Sequence, residues 1–193
     1  MPNAPKILAF AGSARTASFN KKVLAVAVGG ARAAGAEVTV VDFRELPLPL
    51  YDADLEAQSG LPESVVEFKR LMSAHQGLLI ACPEYNSSIT PLLKNAIDWA
   101  SRPAAGEITF ASFLGKVAGL VSASPGAFGG MRSLITVRAI LGNNQVIVIP
   151  EQASVGKAHE AFGPDGRLID PKQQANVERV GARVVKLIEQ LAR

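Results

Sequence analysis

Of its 193 residues the chain spends one on cysteine, two on histidine and one on tryptophan. A lone thiol, Cys82, cannot close a disulfide within the chain and cannot build a cysteine-rich metal cage. His75 and His159 stand far apart with no carboxylate-rich cluster beside either, which speaks against a metal site and against a hydrolytic triad. Gly12-Ser13-Ala14-Arg15 lacks the closing glycine of a nucleophile elbow. The two common nucleotide signatures are missing too: there is no Gly-Lys-Ser/Thr of a P-loop and no Gly-x-Gly-x-x-Gly opening a helix. Apolar runs are broken within a few residues, so no segment reads as a membrane span. No signal peptide is read ahead of the first apolar run, and the cytoplasm is the expected compartment. Charge is sparse, at 19% of residues with a net +3, and basic positions alternate with acidic ones along Lys172, Glu178, Arg179, Arg183, Lys186 and Glu189. Such interleaving describes a solvated face better than a nucleic-acid surface.

What is abundant is apolar: hydrophobic residues make up 48% of the chain, enough for a substantial core in one domain spanning 1–193. Five apolar runs have strand length: Ile7–Ala11, Val38–Val41, Leu78–Cys82, Val117–Ser122 and Val146–Ile149. Helical periodicity falls between and after them, over Ser18–Ala34, Pro62–Ala74, Pro91–Ala100, Gly130–Leu141 and Pro171–Leu191. Strict alternation of strand and helix predicts an α/β fold, a parallel sheet covered on both faces and wound by right-handed crossovers. The order 2-1-3-4-5 brings the carboxyl ends of strands one, three and four together, where open sheets of this kind bind ligands. Arg44–Gly60 reads as a surface loop packed by Leu46, Leu48 and Leu50, and Ser101–Gly115 as an irregular connection. Pro150–Asp170 reads as a turn-rich excursion.

Three segments at those strand ends carry chemistry. Gly12 to Asn20 leads from the first strand into a helix expected to start near Ser18. The hydroxyls of Ser13, Thr16 and Ser18, the amide of Asn20 and the guanidinium of Arg15 crowd that junction. With the helix amino-terminal amides they form a site suited to a phosphate monoester. Pro83 to Ile89 forms a turn after the third strand, and Thr90-Pro91 then opens a helix, threonine as cap and proline at the first position. Free backbone amides, the ring of Tyr85 and a helix amino terminus suit a flat ring with a polar edge that accepts negative charge. The third segment is Ser122-Ala123-Ser124-Pro125-Gly126-Ala127-Phe128-Gly129-Gly130, whose glycines would let backbone pass close to such a ring or simply serve a strand-to-helix turn.

Gly12-Ser13-x-Arg15-x-x-Ser18-x-Asn20, then Pro83-Glu84-Tyr85-Asn86 followed by Leu93-Lys94-Asn95-Ala96-Ile97-Asp98-Trp99, resemble the NADPH-dependent FMN reductase family of flavodoxin-like proteins. The branch most similar contains the quinone and chromate reductases. The resemblance covers roughly the whole chain and implies a flavodoxin-like FMN domain. It assigns Ser13, Arg15, Thr16, Ser18, Phe19 and Asn20 to the FMN phosphate side. Pro83, Glu84, Tyr85 and Asn86 go to the ring edge, and Ser124, Gly126 and Gly129 to the ring face. The Glu84 carboxylate, which would oppose reduction of the ring, is expected to point to solvent or to a neighbouring subunit. The implied reaction is hydride transfer from NADPH or NADH to flavin N5 and on to a quinone, azo dye, chromate or free flavin, in ping-pong order. No side chain need act as acid, base or nucleophile. A homodimer or homotetramer is also implied. The alternative is a flavodoxin-like electron carrier or regulatory FMN-binding protein without turnover of its own. Electron-carrier flavodoxins tend to be strongly acidic, and this chain is not. Lys94 and Asp98, four apart on a helix, are expected to pair at the surface, and Trp99 to pack inside or at a subunit contact.

Overall fold

Two inner strands whose every residue is apolar or small, and buried, set the frame of the molecule. The structure, a computed structural model, describes residues 4–192. Its main sheet contains β1 (Lys6–Ala11), β2 (Glu37–Val41), β3 (Gly77–Ala81), β6 (Val117–Ala123) and β7 (Ile147–Val155), all parallel in the order β2-β1-β3-β6-β7. This is the predicted 2-1-3-4-5 order. β3 and β6 are buried along their whole length, as strands covered on both faces must be.

Alternate residues of each strand feed two cores. Ile7, Ala9, Leu79 and Val121 face α1 (Phe19–Ala33) and α7 (Pro171–Leu191). Leu8, Phe10, Leu78, Ile80 and Leu120 face the opposite layer, built from α3 (Glu63–Ser73), α4 (Pro91–Ser101) and α5 (Met131–Asn143). Phe10, Phe43 and Phe68 meet edge to face at centroid distances of 5.3–5.6 Å in that second core. α1 and α7 approach closely enough that a Cβ on Gly181 would lie 2.0 Å from the Ala27 carbonyl oxygen.

Three expectations about connections change. Arg44–Gly60 is not loop throughout: α2 (Ala53–Ser59) forms inside it, capped by the Asp52 carboxylate, which accepts from the amides of Asp54 and Leu55. The last strand does not end at Ile149. β7 runs on to Val155 through Pro150, because its pairing shifts between Ala118↔Val148 and Leu120↔Gln152. Pro150 falls in that bulge of an edge strand, where a missing N–H costs no ladder bond. Finally, the segment after β3 is not a plain turn. It is a small hairpin, β4 (Glu84–Tyr85) with β5 (Ser88–Ile89), and a further short helix, α6 (Ala158–Ala161), follows β7. No helix among the described residues is long and apolar enough to cross a membrane.

Candidate functional site

The ends of β1, β3 and β6 emerge side by side, and the three loops that follow them are bonded to one another by buried side chains. In the first loop Ser18 is the cap of α1, in extended backbone, its Oγ accepting from the Asn20 amide at 3.2 Å. The first turn of α1 contains no acid of its own to offset the positive end of the helix. The amides of Thr16, Ala17, Ser18 and Phe19 bond to no protein group among the described residues. Ser13 and Ser18 are buried at the base of this cradle, whereas Arg15 is exposed at its rim and pairs with no carboxylate among the described residues. Unspent amides, two hydroxyls and a free guanidinium around a helix amino terminus fit a phosphate dianion in number and charge.

Thr16 is held from outside, its Oγ1 accepting from Arg44 Nη1 at 2.8 Å. Arg44 escapes the sequence reading, since its signal is topological: β2 lies next to β1, so the end of β2 adjoins the first loop. Asp42 steadies the same corner through a 2.6 Å pair with Lys21. Partial burial works to raise the Asp42 carboxyl, but hydrogen bonds from Lys21 and the Arg44 amide outweigh it and hold it below its ordinary range.

Two side chains of the first loop also make contacts to other parts of the chain. The Asn20 carboxamide donates from Nδ2 to the Ala123 carbonyl at 2.8 Å and accepts from the Ala123 amide at 3.1 Å. One N–H and one oxygen lone pair of the carboxamide thus go to the end of β6, and the side chain ties the first loop to the third. Phe19 stacks on Phe162, with rings 6.4 Å apart and 8° from parallel, and Lys22 lies over both. Its ring is thereby engaged with the segment after β7.

In the second loop, Glu84 pairs with Ile89 and Tyr85 with Ser88 around a two-residue turn. Asn86 (φ 50°) and Ser87 (φ 65°) both adopt positive φ, as a type I′ turn requires. Pro83 is buried at the root, Tyr85 is 54% exposed, and the amides of Asn86 and Ser87 have no protein partner among the described residues. Thr90 caps α4 by accepting from the Leu93 amide at 3.2 Å, and its hydroxyl donates to the Gly12 carbonyl at 2.7 Å. A Cβ on Gly12 would sit 2.7 Å from Leu93 Cβ, so only glycine lets β1 run this close to α4.

Glu84 corrects the expectation that its carboxylate turns to solvent or to another subunit. It turns inward to α5: Oε2 accepts from the Arg132 amide at 3.0 Å and Oε1 from Arg132 Nε at 2.6 Å. In the third loop, Ser124 donates its amide to Val155, and Gly129, at φ 61°, packs where a Cβ would come within 2.6 Å of the Val155 carbonyl carbon. Gly129 is thus demanded by the end of β7. Gly126 meets nothing closer than Ser124 Oγ at 3.7 Å, so its face is open. Cys82 is fully buried, its Sγ–H directed at the Ile80 carbonyl, and burial pushes its thiol far up, leaving no reactive thiolate.

The rest of the second motif is scaffold. Lys94 and Asp98 pair at 2.7 Å as expected, and Trp99 is buried. Asn95 Oδ1 accepts from the Tyr51 amide, while Asn95 Nδ2 and Trp99 Nε1 both donate to the Pro49 carbonyl, at 2.8 and 2.7 Å. These side chains hold the segment between β2 and α2 onto α4. The described residues contain no group of three or more His, Cys, Asp or Glu arranged to hold a metal ion.

A five-stranded parallel sheet in the order β2-β1-β3-β6-β7, wound by helices on both faces, defines the flavodoxin-like class. Residues 5–160 match the model of the NADPH-dependent FMN reductase family, and the chain belongs to that family. It is 35% identical over 175 residues to an NAD(P)H-dependent FMN reductase of Pseudomonas aeruginosa, covering 90% of both chains. It is equally 35% identical to a quinone reductase of Pseudomonas putida, over 90% of this chain and 91% of that one. Among solved structures it superposes on FerB, a flavoenzyme NAD(P)H:(acceptor) oxidoreductase of Paracoccus denitrificans, with a TM-score of 0.82 and 29% identity. That superposition covers 97% of this chain and 98% of FerB.

Proposed function

We propose that the protein is an FMN-dependent NAD(P)H oxidoreductase that reduces quinones and, among other small acceptors, azo compounds, chromate or free flavin. The observation that carries this reading is the pairing of an anion cradle with unspent amides on Thr16–Phe19 and a hairpin with unspent amides at Asn86 and Ser87, on adjacent strands. When bound, FMN supplies hydride acceptance from a nicotinamide and onward delivery to the acceptor. The chain supplies the rest. Arg15, Ser13 and Ser18 hold the phosphate, and the hairpin amides with the amino end of α4 stabilise negative charge arriving at the ring edge. Tyr85 and Gly126 border an open ring face. With one such face, donor and acceptor must use it in turn, which makes the kinetics ping-pong. Tyr85, Phe128, Met131 and Ile135 are exposed around this region and support a homodimer or homotetramer that covers them.

Titration of the purified protein with FMN and FAD, followed by NADPH and NADH oxidation with benzoquinone, tests the reading. Tight FMN binding, weak FAD binding and parallel double-reciprocal plots are expected. FMN binding without turnover would make it a carrier or regulatory protein instead, and no FMN binding would end the proposal.

A further inference from the structure

The Glu84–Arg132 pair belongs neither to the phosphate cradle nor to the ring-edge backbone, yet it joins the two loops that flank the ring site. Glu84 stands on β4 of the hairpin. Arg132 is in the first turn of α5, directly after the glycine loop. The helix cap at Gly130 has no side chain to offer an acceptor, and α5 has no acid of its own in its first turn. The Glu84 carboxylate fills both roles from another element, accepting from the Arg132 amide at 3.0 Å and from the guanidinium at Nε, 2.6 Å, and at Nη2. Its side chain is 8% exposed, whereas Arg132 is 53% exposed and lies 5.8 Å over the Phe128 ring.

We propose that Glu84 and Arg132 form a charge-balanced clamp that positions the hairpin against the glycine loop and sets the reduction potential of FMN bound between them. The inference rests on the FMN reading above. A carboxylate built into a ring-edge hairpin would by itself oppose negative charge on the reduced ring. Paired with a guanidinium and a helix amino terminus, it contributes almost no net charge there. The pair is therefore a neutral unit whose halves have opposite effects. Removing the carboxylate leaves a bare cation beside the ring, which favours reduction. Removing the guanidinium leaves an anion offset only by α5, which disfavours it.

The test is the midpoint potential of the FMN-loaded protein, measured by equilibration with reference dyes. Glu84→Gln is expected to raise it, Arg132→Gln to lower it, the double variant to return to the parent value, and Arg132→Lys to stay near the parent. Both single-variant shifts should shrink as ionic strength rises, because Arg132 is half exposed. Shifts of the same sign in the two single variants, no shift in either, or an Arg132→Lys chain that behaves like Arg132→Gln would overturn the proposal. Should Glu84→Gln fail to fold, Arg132→Lys against Arg132→Gln decides the question, since they differ in charge. A parent protein that takes up no FMN would instead remove the functional reading, and this inference with it.

Discussion

Arg15 is exposed and pairs with no carboxylate among the described residues, so its charge is available to a ligand and its loss removes no core contact. Arg15→Ala should weaken FMN binding by the value of one hydrogen bond to a charged group, roughly 1.5–3 kcal/mol, or about one to two decades in Kd. Riboflavin, which has no phosphate, should lose far less; fluorescence titration of both ligands checks this, and equal losses would move the anion site elsewhere. Asn20 gives the complementary case. Its carboxamide makes two buried bonds to Ala123, which fix it as a tie between the first and third loops. Asn20→Ala is therefore expected to weaken FMN and riboflavin alike and to lower stability by roughly 1–3 kcal/mol. A phosphate-selective loss would show that Asn20 leaves Ala123 to hold the ligand.

α4 organises more than its amino terminus. One face packs Leu93, Ala96 and Ile97 into the core, while Asn95 and Trp99 grip the segment from Pro49 to Tyr51. Beyond it, α2 has no buried residue of its own and is held by Arg102, which pairs with Glu56 at 2.8 Å and lies 5.6 Å from the Tyr51 ring. A short helix with no buried face depends on such anchors. Asn95→Ala deletes two part-buried bonds, at about 0.5–1.5 kcal/mol each. The melting temperature should fall by roughly 2–4 °C per kcal/mol for a chain of this size. Limited proteolysis should cut first between Pro49 and Gly60, and cleavage elsewhere first would mean that the segment is held by other contacts.

Across the whole molecule, the end of the sheet opposite the loops carries its own buried charge. Lys116, just before β6, is 7% exposed and donates from Nζ to the His75 carbonyl at 2.5 Å. His75 is likewise structural, Nδ1 donating to the Leu71 carbonyl and Nε2 bonding Thr39 Oγ1 at 2.8 Å. Burial pushes the Lys116 ammonium down to about 8 from 10.5. Between those values the unfolded chain keeps the proton that the folded chain releases, so this residue makes stability rise with pH across that window. Its contribution is present above pH 10.5 and lost as pH falls to 8, an effect on the order of 3 kcal/mol at most. Urea unfolding of the protein and of Lys116→Met at pH 7.5 and 10 should show the difference narrowing in favour of the parent at the higher pH. Parallel pH profiles would mean that the carbonyl contact cancels the burial.

Strand order, both helix layers and all three loops were legible in the chain, because fully buried parallel strands need unbroken apolar runs and their helices need periodic ones. The caps at Ser18 and Thr90 were legible for the same local reason: a cap bonds residues two or three positions away. What tertiary structure alone decided is where polar side chains spend their hydrogen bonds. Asn20 reaches Ala123, Thr90 reaches Gly12, and Glu84 reaches Arg132, each across a gap in sequence that no periodicity encodes. Gly129 turned out to serve the contact with Val155, and Phe19 the stack on Phe162, by the same kind of long-range packing. Residue types near a loop reveal which groups are present at a site. Which of them remain free for a ligand depends on neighbours brought together by the crossovers, and only the folded chain brings them there.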